Sequence, residues 1–218
     1  MNIINKLYPL VRKSLWLPIS GYLLMFRRCS YLRSTGWVES FKSGVPCRND
    51  GSPLPWMNYP VIAFLEERLI KDISLFEFGS GYSTKFFAQR VKDVTSVEYD
   101  IQWFDKLKES LPANVNLLFR EKDVNGKYCR LISEQNRRYD VVVVDGRDRV
   151  NCVRTAVECL SERGVVILDD SQREKYKDAL EHVAARGFRV LHWEGIKPTS
   201  SRTERTSIIY RDGNCLGI

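Results

Sequence analysis

The sequence predicts an α/β fold in which a mainly parallel sheet is covered by helices on both faces. After residue 70, short apolar runs alternate with segments of helical character, a pattern that gives right-handed crossovers and parallel strands. The runs 141–144 and 165–168 are apolar without interruption, as in central strands that are buried on both faces. We therefore expect about seven strands, the last two of which form an antiparallel hairpin.

Each predicted strand is a short run of apolar and β-branched residues, and each predicted helix fills the interval between two runs. The strands are SLFEFG, VTSVEY, NVNLLF, YDVVVVD, GVVILDD, GFRVLHW and RTSIIYR. The helices lie over 82–92, 101–110, 128–136, 148–160 and 172–186. No helical pattern separates the last two strands, which is why a hairpin is predicted there.

The 218 residues fit one α/β domain over 71–218 and a helical extension or cap over 1–70. Within the extension, residues 30–44 read as one amphipathic helix that ends at Gly44. The segment 50–60 is dense in Gly and Pro and predicts a rigid extended loop. A further helix follows, with Pro60 in its first turn.

The composition indicates contact with an acidic partner but does not identify it. The formal net charge is +7, and the Arg and Lys residues are scattered rather than blocked. An anionic membrane face, a phosphorylated substrate and a merely basic protein all fit, whereas nucleic acid is not expected because no basic, aromatic-interleaved module occurs. Six cysteines without a CxxC pair or a zinc spacing predict free thiols and a cytoplasmic protein.

Residues 15–26 form the most apolar stretch, flanked by Arg12 and Lys13 on one side and by Arg27 and Arg28 on the other. The stretch is shorter than the about 20 apolar residues that span a bilayer. One interpretation is a peripheral anchor on the anionic inner face of the membrane. The other is a helical arm that packs on the domain or on a second subunit of a homodimer.

The loop after the first strand predicts a nucleoside-type ligand. Gly79 and Gly81 allow the backbone to turn and to approach a ligand closely, but Thr84 stands where a dinucleotide fingerprint has its third glycine. That departure argues against a pyrophosphate at this loop. Ser80, Ser83 and Thr84 have a second interpretation, as caps of the following helix.

Acidic residues follow the second and third strands. Glu98 lies 19 residues after Gly79, where a carboxylate can accept both hydroxyls of a ribose. The alternative for Glu98 is an exposed glutamate at a strand end. Asp123 has two open interpretations: it accepts from an adenine amine, or it is a turn aspartate before Asn125 and Gly126.

Four segments, FEFGSGYST, SVEYD, YDVVVVDGRDR and GVVILDDS, resemble the successive motifs of class I S-adenosylmethionine-dependent methyltransferases. The resemblance covers residues 60–211 and implies S-adenosylmethionine as the cofactor. It also implies a seven-stranded Rossmann-like sheet with the order 3-2-1-4-5-7-6 and an antiparallel strand 7. Because the sulfonium cofactor has no pyrophosphate, Thr84 is compatible with it. The implied cofactor site consists of Glu77, Gly79, Ser80, Gly81, Ser83, Glu98, Tyr99, Asp123, Asp145 and Gly146.

Three aspartates follow two strands that are neighbours in this order: Asp145 after the fourth, and Asp169 with Asp170 after the fifth. This arrangement resembles the metal-dependent O-methyltransferases, including catechol and sugar types, and implies Mg²⁺ held by these three residues. The alternative is a metal-free site in which Asp145 or Asp169 is a general base. Arg147 and Arg149 would clamp a phosphate or carboxylate of the acceptor. The alternative for both is a solvated surface residue, or an ion pair with Asp148 or with the three aspartates.

These features predict an S-adenosylmethionine-dependent methyltransferase that acts on an oxygen of a glycan or another small hydroxyl-bearing acceptor. The glycan interpretation rests on the sugar-methylating relatives, the arginines of the cleft and the basic, apolar N-terminal segment. Two other classes stay open: an NAD-dependent oxidoreductase on a Rossmann-like sheet, which Thr84 disfavours, and a non-catalytic adaptor that retains the fold.

Overall fold

The computed structural model describes residues 25–218 together with Gly21. Seven strands lie within the described residues: β1 Ser74–Phe78, β2 Asp93–Glu98, β3 Val115–Phe119, β4 Tyr139–Val144, β5 Leu160–Leu168, β6 Arg189–Ile196 and β7 Thr203–Tyr210. They form one sheet with the order β3-β2-β1-β4-β5-β7-β6. Strands β1 to β5 pair in parallel, and β7 is antiparallel to both β5 and β6. This confirms the predicted sheet, its order and its final hairpin.

The α-helices of the described residues are α1 Tyr31–Ser34, α2 Trp37–Ser43, α3 Tyr59–Arg68, α4 Tyr82–Ala88, α5 Ile101–Lys108, α6 Lys127–Glu134, α7 Arg149–Glu158 and α8 Lys177–Ala185. Helices α4 to α8 each connect two strands that are consecutive in the chain, as predicted. A short 3₁₀ turn, Glu174–Tyr176, precedes α8. The parallel strands therefore all point their carboxyl ends toward one rim of the sheet.

The predicted single helix over 30–44 is wrong in one respect, because the chain forms two short helices there. Gly36 separates them with a φ of +91°, and a Cβ at this position would lie 2.5 Å from the carbonyl oxygen of Cys47. The local turn therefore requires glycine, and the helix cannot continue through it. The predicted end at Gly44 is confirmed, with a left-handed φ of +72°.

Buried side chains cover both faces of the sheet. On one face, Phe76 and Phe78 of β1 pack with α6, α7 and α8. On the other face, Leu75 packs with α3, α4 and the chain that leads into α3 from Leu54 onward. Leu54 is fully buried. Part of the segment 1–70 thus covers the sheet directly, while the predicted division at residue 70 stays a prediction.

The start of α3 is hydrogen-bonded to the β6–β7 hairpin. Asn58 caps α3 by accepting from the backbone N–H of Val61 at 3.1 Å, and its amide donates to Thr206 Oγ1 at 3.0 Å. Trp56 Nε1 donates to the carbonyl oxygen of Pro198 at 3.0 Å, in the turn of the hairpin. The chain before α3 is therefore fixed against the edge of the sheet by directed contacts as well as by apolar packing.

The apolar segment 15–26, interpreted from the sequence as a membrane anchor or as a packed helical arm, lies outside the described residues except for Gly21, Met25 and Phe26. Among the described residues, Met25 and Phe26 have large exposed apolar side chains. None of the described helices combines the length and the apolar character that crossing a bilayer requires.

Candidate functional site

A cavity of about 360 Å³ lies at the carboxyl ends of β1, β2 and β4. This is where the strand order reverses, the usual position of ligands in open α/β sheets, and the volume falls in the range of ligand pockets. We call it the cofactor cavity. Of the ten predicted cofactor residues, all but Glu77, Gly81 and Asp123 line it. Its complete lining is Gly79, Ser80, Ser83, Glu98, Tyr99, Asp100, Trp103, Asp145 and Gly146.

Gly79 brings the tips of β1 and β4 into backbone contact. Its φ is +94°, and a Cβ there would lie 3.1 Å from both the N and the Cα of Gly146. Glycine is needed at this position for its conformation and for the close approach. Gly81 was also expected to be needed for a turn and a close approach, but the structure does not require glycine there. Its φ of 160° is extended, and a Cβ would meet only the Trp103 ring, at 3.8 Å.

Thr84 links the glycine loop to the buried end of β1. Its hydroxyl donates to Glu77 Oε2 at 2.5 Å and accepts from the N–H of Gly81 at 2.9 Å. Ser96 Oγ donates to the same Glu77 oxygen at 2.9 Å. Burial raises the pKa of Glu77 to about 7, against the opposing effect of neighbouring hydroxyls. Glu77 therefore supports the loop from the buried side through Thr84. The threonine makes these hydrogen bonds at the position where the dinucleotide fingerprint has glycine.

The Glu98 carboxylate lies directly against the loop. Its Oε2 accepts from the N–H of Ser80 at 3.2 Å and from Ser80 Oγ at 2.6 Å. Its Oε1 accepts from the N–H groups of Tyr99 and Asp100 at 2.8 and 2.9 Å. These four contacts use the acceptor capacity of the carboxylate. Ser80 Oγ is the one donor on a rotatable side chain, so its rotation frees an acceptor position for a ligand hydroxyl.

Two aromatic residues complete the wall of the cofactor cavity. Trp103 Nε1 donates to the carbonyl oxygen of Ser80 at 3.0 Å. Arg147 Nη2 donates to the Tyr99 hydroxyl at 2.9 Å, and its guanidinium lies 5.0 Å from the Tyr99 ring centroid. Sequence reasoning missed Trp103. Its only signal was an aromatic residue in the first turn of the helix that follows the predicted acidic strand end.

Asp123 caps a helix. Its two carboxylate oxygens accept from the backbone N–H groups of Lys127 and Tyr128, at 2.6 and 3.0 Å. These backbone donors hold the pKa of Asp123 below its usual value. Asp123 also lines an open cavity of about 460 Å³, together with Lys122, Val124, Arg147 and Asp148. The turn role of Asp123 is therefore present in the structure, and its contact with an adenine stays a prediction.

Two solved structures are similar to this chain in fold. Precorrin-8w decarboxylase from Methanobacterium thermoautotrophicum has a TM-score of 0.53 at 19% identity, over 76% of this chain and 95% of that chain. A candidate methyltransferase from Streptococcus mutans, in complex with S-adenosylhomocysteine, has a TM-score of 0.50 at 14% identity, over 68% of this chain and 94% of that chain. The fold is that of the Rossmann-like methyltransferases. No family model matches the chain, and no curated protein matches it.

In this Rossmann-like methyltransferase fold, the acidic ends of β4 and β5 are neutralised by the protein itself. Lys197 Nζ lies 2.5 Å from Asp169 Oδ2 and 2.5 Å from Asp170 Oδ1. Arg149 Nη2 lies 2.7 Å from Asp145 Oδ1. Burial alone would lower the pKa of Lys197, but the two carboxylates raise it above its usual value. The ammonium is therefore held in its charged form between the two aspartates.

This arrangement does not support the predicted magnesium site. Mg²⁺ needs carboxylate oxygens that are free to coordinate it in a near-octahedral shell. Here Lys197 is hydrogen-bonded to Asp169 and Asp170, and Arg149 forms an ion pair with Asp145. Among the described residues, no group of three or more His, Cys, Asp or Glu side chains is arranged to hold a metal ion. Sequence reasoning missed Lys197 because it follows β6, outside every motif of the predicted site.

The three aspartates differ in their access to the cofactor cavity. Asp145 lines it, while Asp169 is 1% exposed and its Oδ1 accepts from Thr206 Oγ1 at 2.7 Å. Burial and the charge of Asp169 raise the pKa of Asp145 to about 8, and Arg149 opposes this shift. Of the three aspartates, Asp145 is therefore the one that lines the cofactor cavity.

Asp145 makes the stability of the fold depend on pH. Between its usual value of 3.8 and its folded value of about 8, the folded state binds more protons than the unfolded state, so the free energy of unfolding falls as pH rises. Asp145→Asn removes this titration. From pH 5 to pH 8 we expect the stability of the variant to rise relative to that of the wild type, by at most roughly 1 kcal/mol per pH unit. Urea unfolding at the two pH values measures the difference, and a difference independent of pH contradicts the assignment.

Proposed function

We propose that the protein is an S-adenosylmethionine-dependent methyltransferase. The observation that carries the proposal is the meeting of the Gly79 turn with the Glu98 carboxylate at the cofactor cavity, with Ser80 Oγ 2.6 Å from Glu98 Oε2. The fold supports it, since a structure of this fold is known in complex with S-adenosylhomocysteine. The bound cofactor supplies the electrophilic methyl group, and the protein orients the two reactants.

The residues of the cofactor cavity fit this cofactor in chemistry. Glu98 accepts from a ribose hydroxyl once Ser80 Oγ has rotated away, and Gly79 leaves the backbone open to close approach. Tyr99 and Trp103 provide aromatic surface for the nucleoside. Thr84 holds the loop through its two hydrogen bonds, and it occupies the position at which a pyrophosphate site has its third glycine. NAD is therefore disfavoured as the ligand.

For the acceptor, we propose a hydroxyl group on a glycan or another small molecule. Asp145 supports this choice because it lines the cofactor cavity and its raised pKa of about 8 suits a general base near neutral pH. Its role is to take the proton from the attacking hydroxyl. Arg149, 2.7 Å away, stabilises the ionised form of the Asp145 carboxylate, which is the form that accepts this proton.

Calorimetry with S-adenosylhomocysteine and with NAD tests the cofactor. We expect binding of the former only, and Glu98→Ala should weaken it at least tenfold because the ribose hydroxyl loses its charged acceptor. The matched control is Glu109→Ala, an exposed glutamate at the end of α5. Unchanged affinity in Glu98→Ala rejects the ribose assignment. Binding of NAD alone makes the protein an oxidoreductase candidate, and cofactor binding without turnover on any acceptor pool favours an adaptor.

We further propose that residues 15–26 place the protein on an anionic membrane face and that two copies associate. The supporting features are the apolar run with its four flanking cations and the exposed side chains of Met25 and Phe26 at its end. Co-sedimentation with phosphatidylglycerol vesicles tests the first proposal, with phosphatidylcholine vesicles as the control. Light scattering of the full chain in solution tests the second.

A further inference from the structure

A second cavity, of about 280 Å³, lies beside the cofactor cavity and shares Gly146 with it. We call it the basic cavity. Its wall carries one carboxylate, that of Asp148, and four cationic side chains: Arg147, Arg149, Arg173 and Lys175. Such an excess of positive charge in a concave site attracts anions and raises their local concentration.

Two of these cations have no carboxylate partner among the described residues. Arg147 donates to the Tyr99 hydroxyl, and the Lys175 amine lies 5.0 Å from the centroid of the Tyr176 ring. Contacts with neutral aromatic groups leave their charges uncompensated. The carboxylate of Asp148 is directed elsewhere, since it accepts from the backbone N–H of Asn125 and the side-chain amide of Asn151, each at 2.8 Å.

The other two cations have acidic partners on the far side of the wall. Arg173 is half exposed, and its Nη2 lies 2.6 Å from Asp170 Oδ2. This ion pair uses only one end of the guanidinium group. The Arg149 side chain is only 10% exposed, and its Nη2 lies 2.7 Å from Asp145 Oδ1. Arg149 thus stands between the two cavities, with the basic cavity on one side and the proposed general base on the other.

We propose that the methyl acceptor is an anionic molecule whose phosphate or carboxylate binds in the basic cavity, held by Arg147, Arg173 and Lys175. This inference rests on the proposed methyltransferase function. Guanidinium groups bind the oxygens of both anions in a bidentate manner, and a lysine adds a point charge. An acceptor fixed in this way extends past Gly146 into the cofactor cavity, where its hydroxyl meets Asp145.

Calorimetry on the full chain saturated with S-adenosylhomocysteine tests the inference, with pyrophosphate and citrate as probes at constant ionic strength. We expect binding of at least one probe, at least tenfold weaker in Lys175→Glu. The tighter probe identifies the anionic group of the acceptor. The matched control is Lys177→Glu, which reverses a charge two residues away, at a side chain that pairs with Glu174 and Glu181 and does not line the basic cavity. Lys177→Glu should bind the probe as the wild type does.

Three outcomes overturn the inference: no probe binds, Lys175→Glu binds as tightly as the wild type, or both variants weaken binding equally. Competition between the probe and S-adenosylhomocysteine also overturns it, because the anion would then occupy the cofactor site. Failure of the methyltransferase proposal is separable. In that case S-adenosylhomocysteine does not bind, while the effect of Lys175→Glu on the probe still reports whether the basic cavity is an anion site.

Discussion

Replacing Lys197 by alanine is expected to lower the free energy of unfolding by about 3–5 kcal/mol, the usual effect of removing one partner from a buried ion pair. Lys197, Asp169 and Asp170 are all buried, and the ammonium contacts both carboxylates at 2.5 Å. Without it, Asp170 keeps its pairs with Arg149 and Arg173. Asp169 loses the ion pair that its carboxylate makes among the described residues, and keeps the Thr206 hydroxyl as a neutral donor.

Urea unfolding of the wild type and of Lys197→Ala measures this loss. Lys177→Ala is the control, because its ammonium is exposed and its ion pairs contribute little. Lys197→Ala combined with Asp169→Asn should recover most of the lost stability, since the double variant buries no unpaired charge. A loss below about 0.5 kcal/mol in the single variant, within the range of ordinary surface substitutions, would show that the ammonium is not needed.

Gly79→Ala is expected to weaken the binding of S-adenosylhomocysteine at least 30-fold. A non-glycine residue at a left-handed φ costs about 1–2 kcal/mol, and forcing extra volume into a packed site costs about 1–3 kcal/mol more. The added Cβ would meet backbone atoms of Gly146 at 3.1 Å, and backbone cannot rotate away as a side chain can. The two lower limits add up to about 2 kcal/mol. We assign this cost to the backbone geometry that the ligand requires, which corresponds to a roughly 30-fold loss of affinity.

Gly213→Ala is the matched control for this substitution. Gly213 has a φ of +73°, and a Cβ there meets nothing within 4 Å, so it carries the conformational cost without the crowding. We expect Gly213→Ala to reduce stability modestly and to leave the affinity for S-adenosylhomocysteine unchanged. Calorimetry measures both affinities. If Gly79→Ala binds as the wild type does, then contact between the tips of β1 and β4 does not form the ligand site.

The sheet could be predicted from the sequence because each strand carries its own local signal. Uninterrupted valines mark β4 as a central strand. The four motifs resemble those of a family whose strand order is known, and that order, which the structure has, gives the neighbours of each strand. The N-terminal helices were less predictable. The periodicity of residues 30–44 favours one helix, but the contact of Gly36 with the backbone at Cys47 is a tertiary constraint that no local pattern contains.

The same distinction divides the site. Gly79, Glu98 and Asp145 sit at strand ends, where topology alone brings them together, and the prediction located them. An ion pair of Arg149 with the acidic residues was one of the alternatives, but their lysine partner could not be predicted in this way. Lys197 follows β6, in the turn of an antiparallel hairpin, and reaches β5 only because β7 folds back between them. Because the sequence does not show that Lys197 neutralises two of the three aspartates, their arrangement predicted a magnesium site.

The chain from Leu54 onward packs against the sheet, and this packing limits where a chimera with another protein can be joined. A chimera that exchanges the N-terminal part at residue 70 would separate α3 from the strands it covers and Asn58 from Thr206. The exchangeable unit therefore begins no later than Leu54, and a graft intended to alter acceptor choice has to carry α3 along with the sheet.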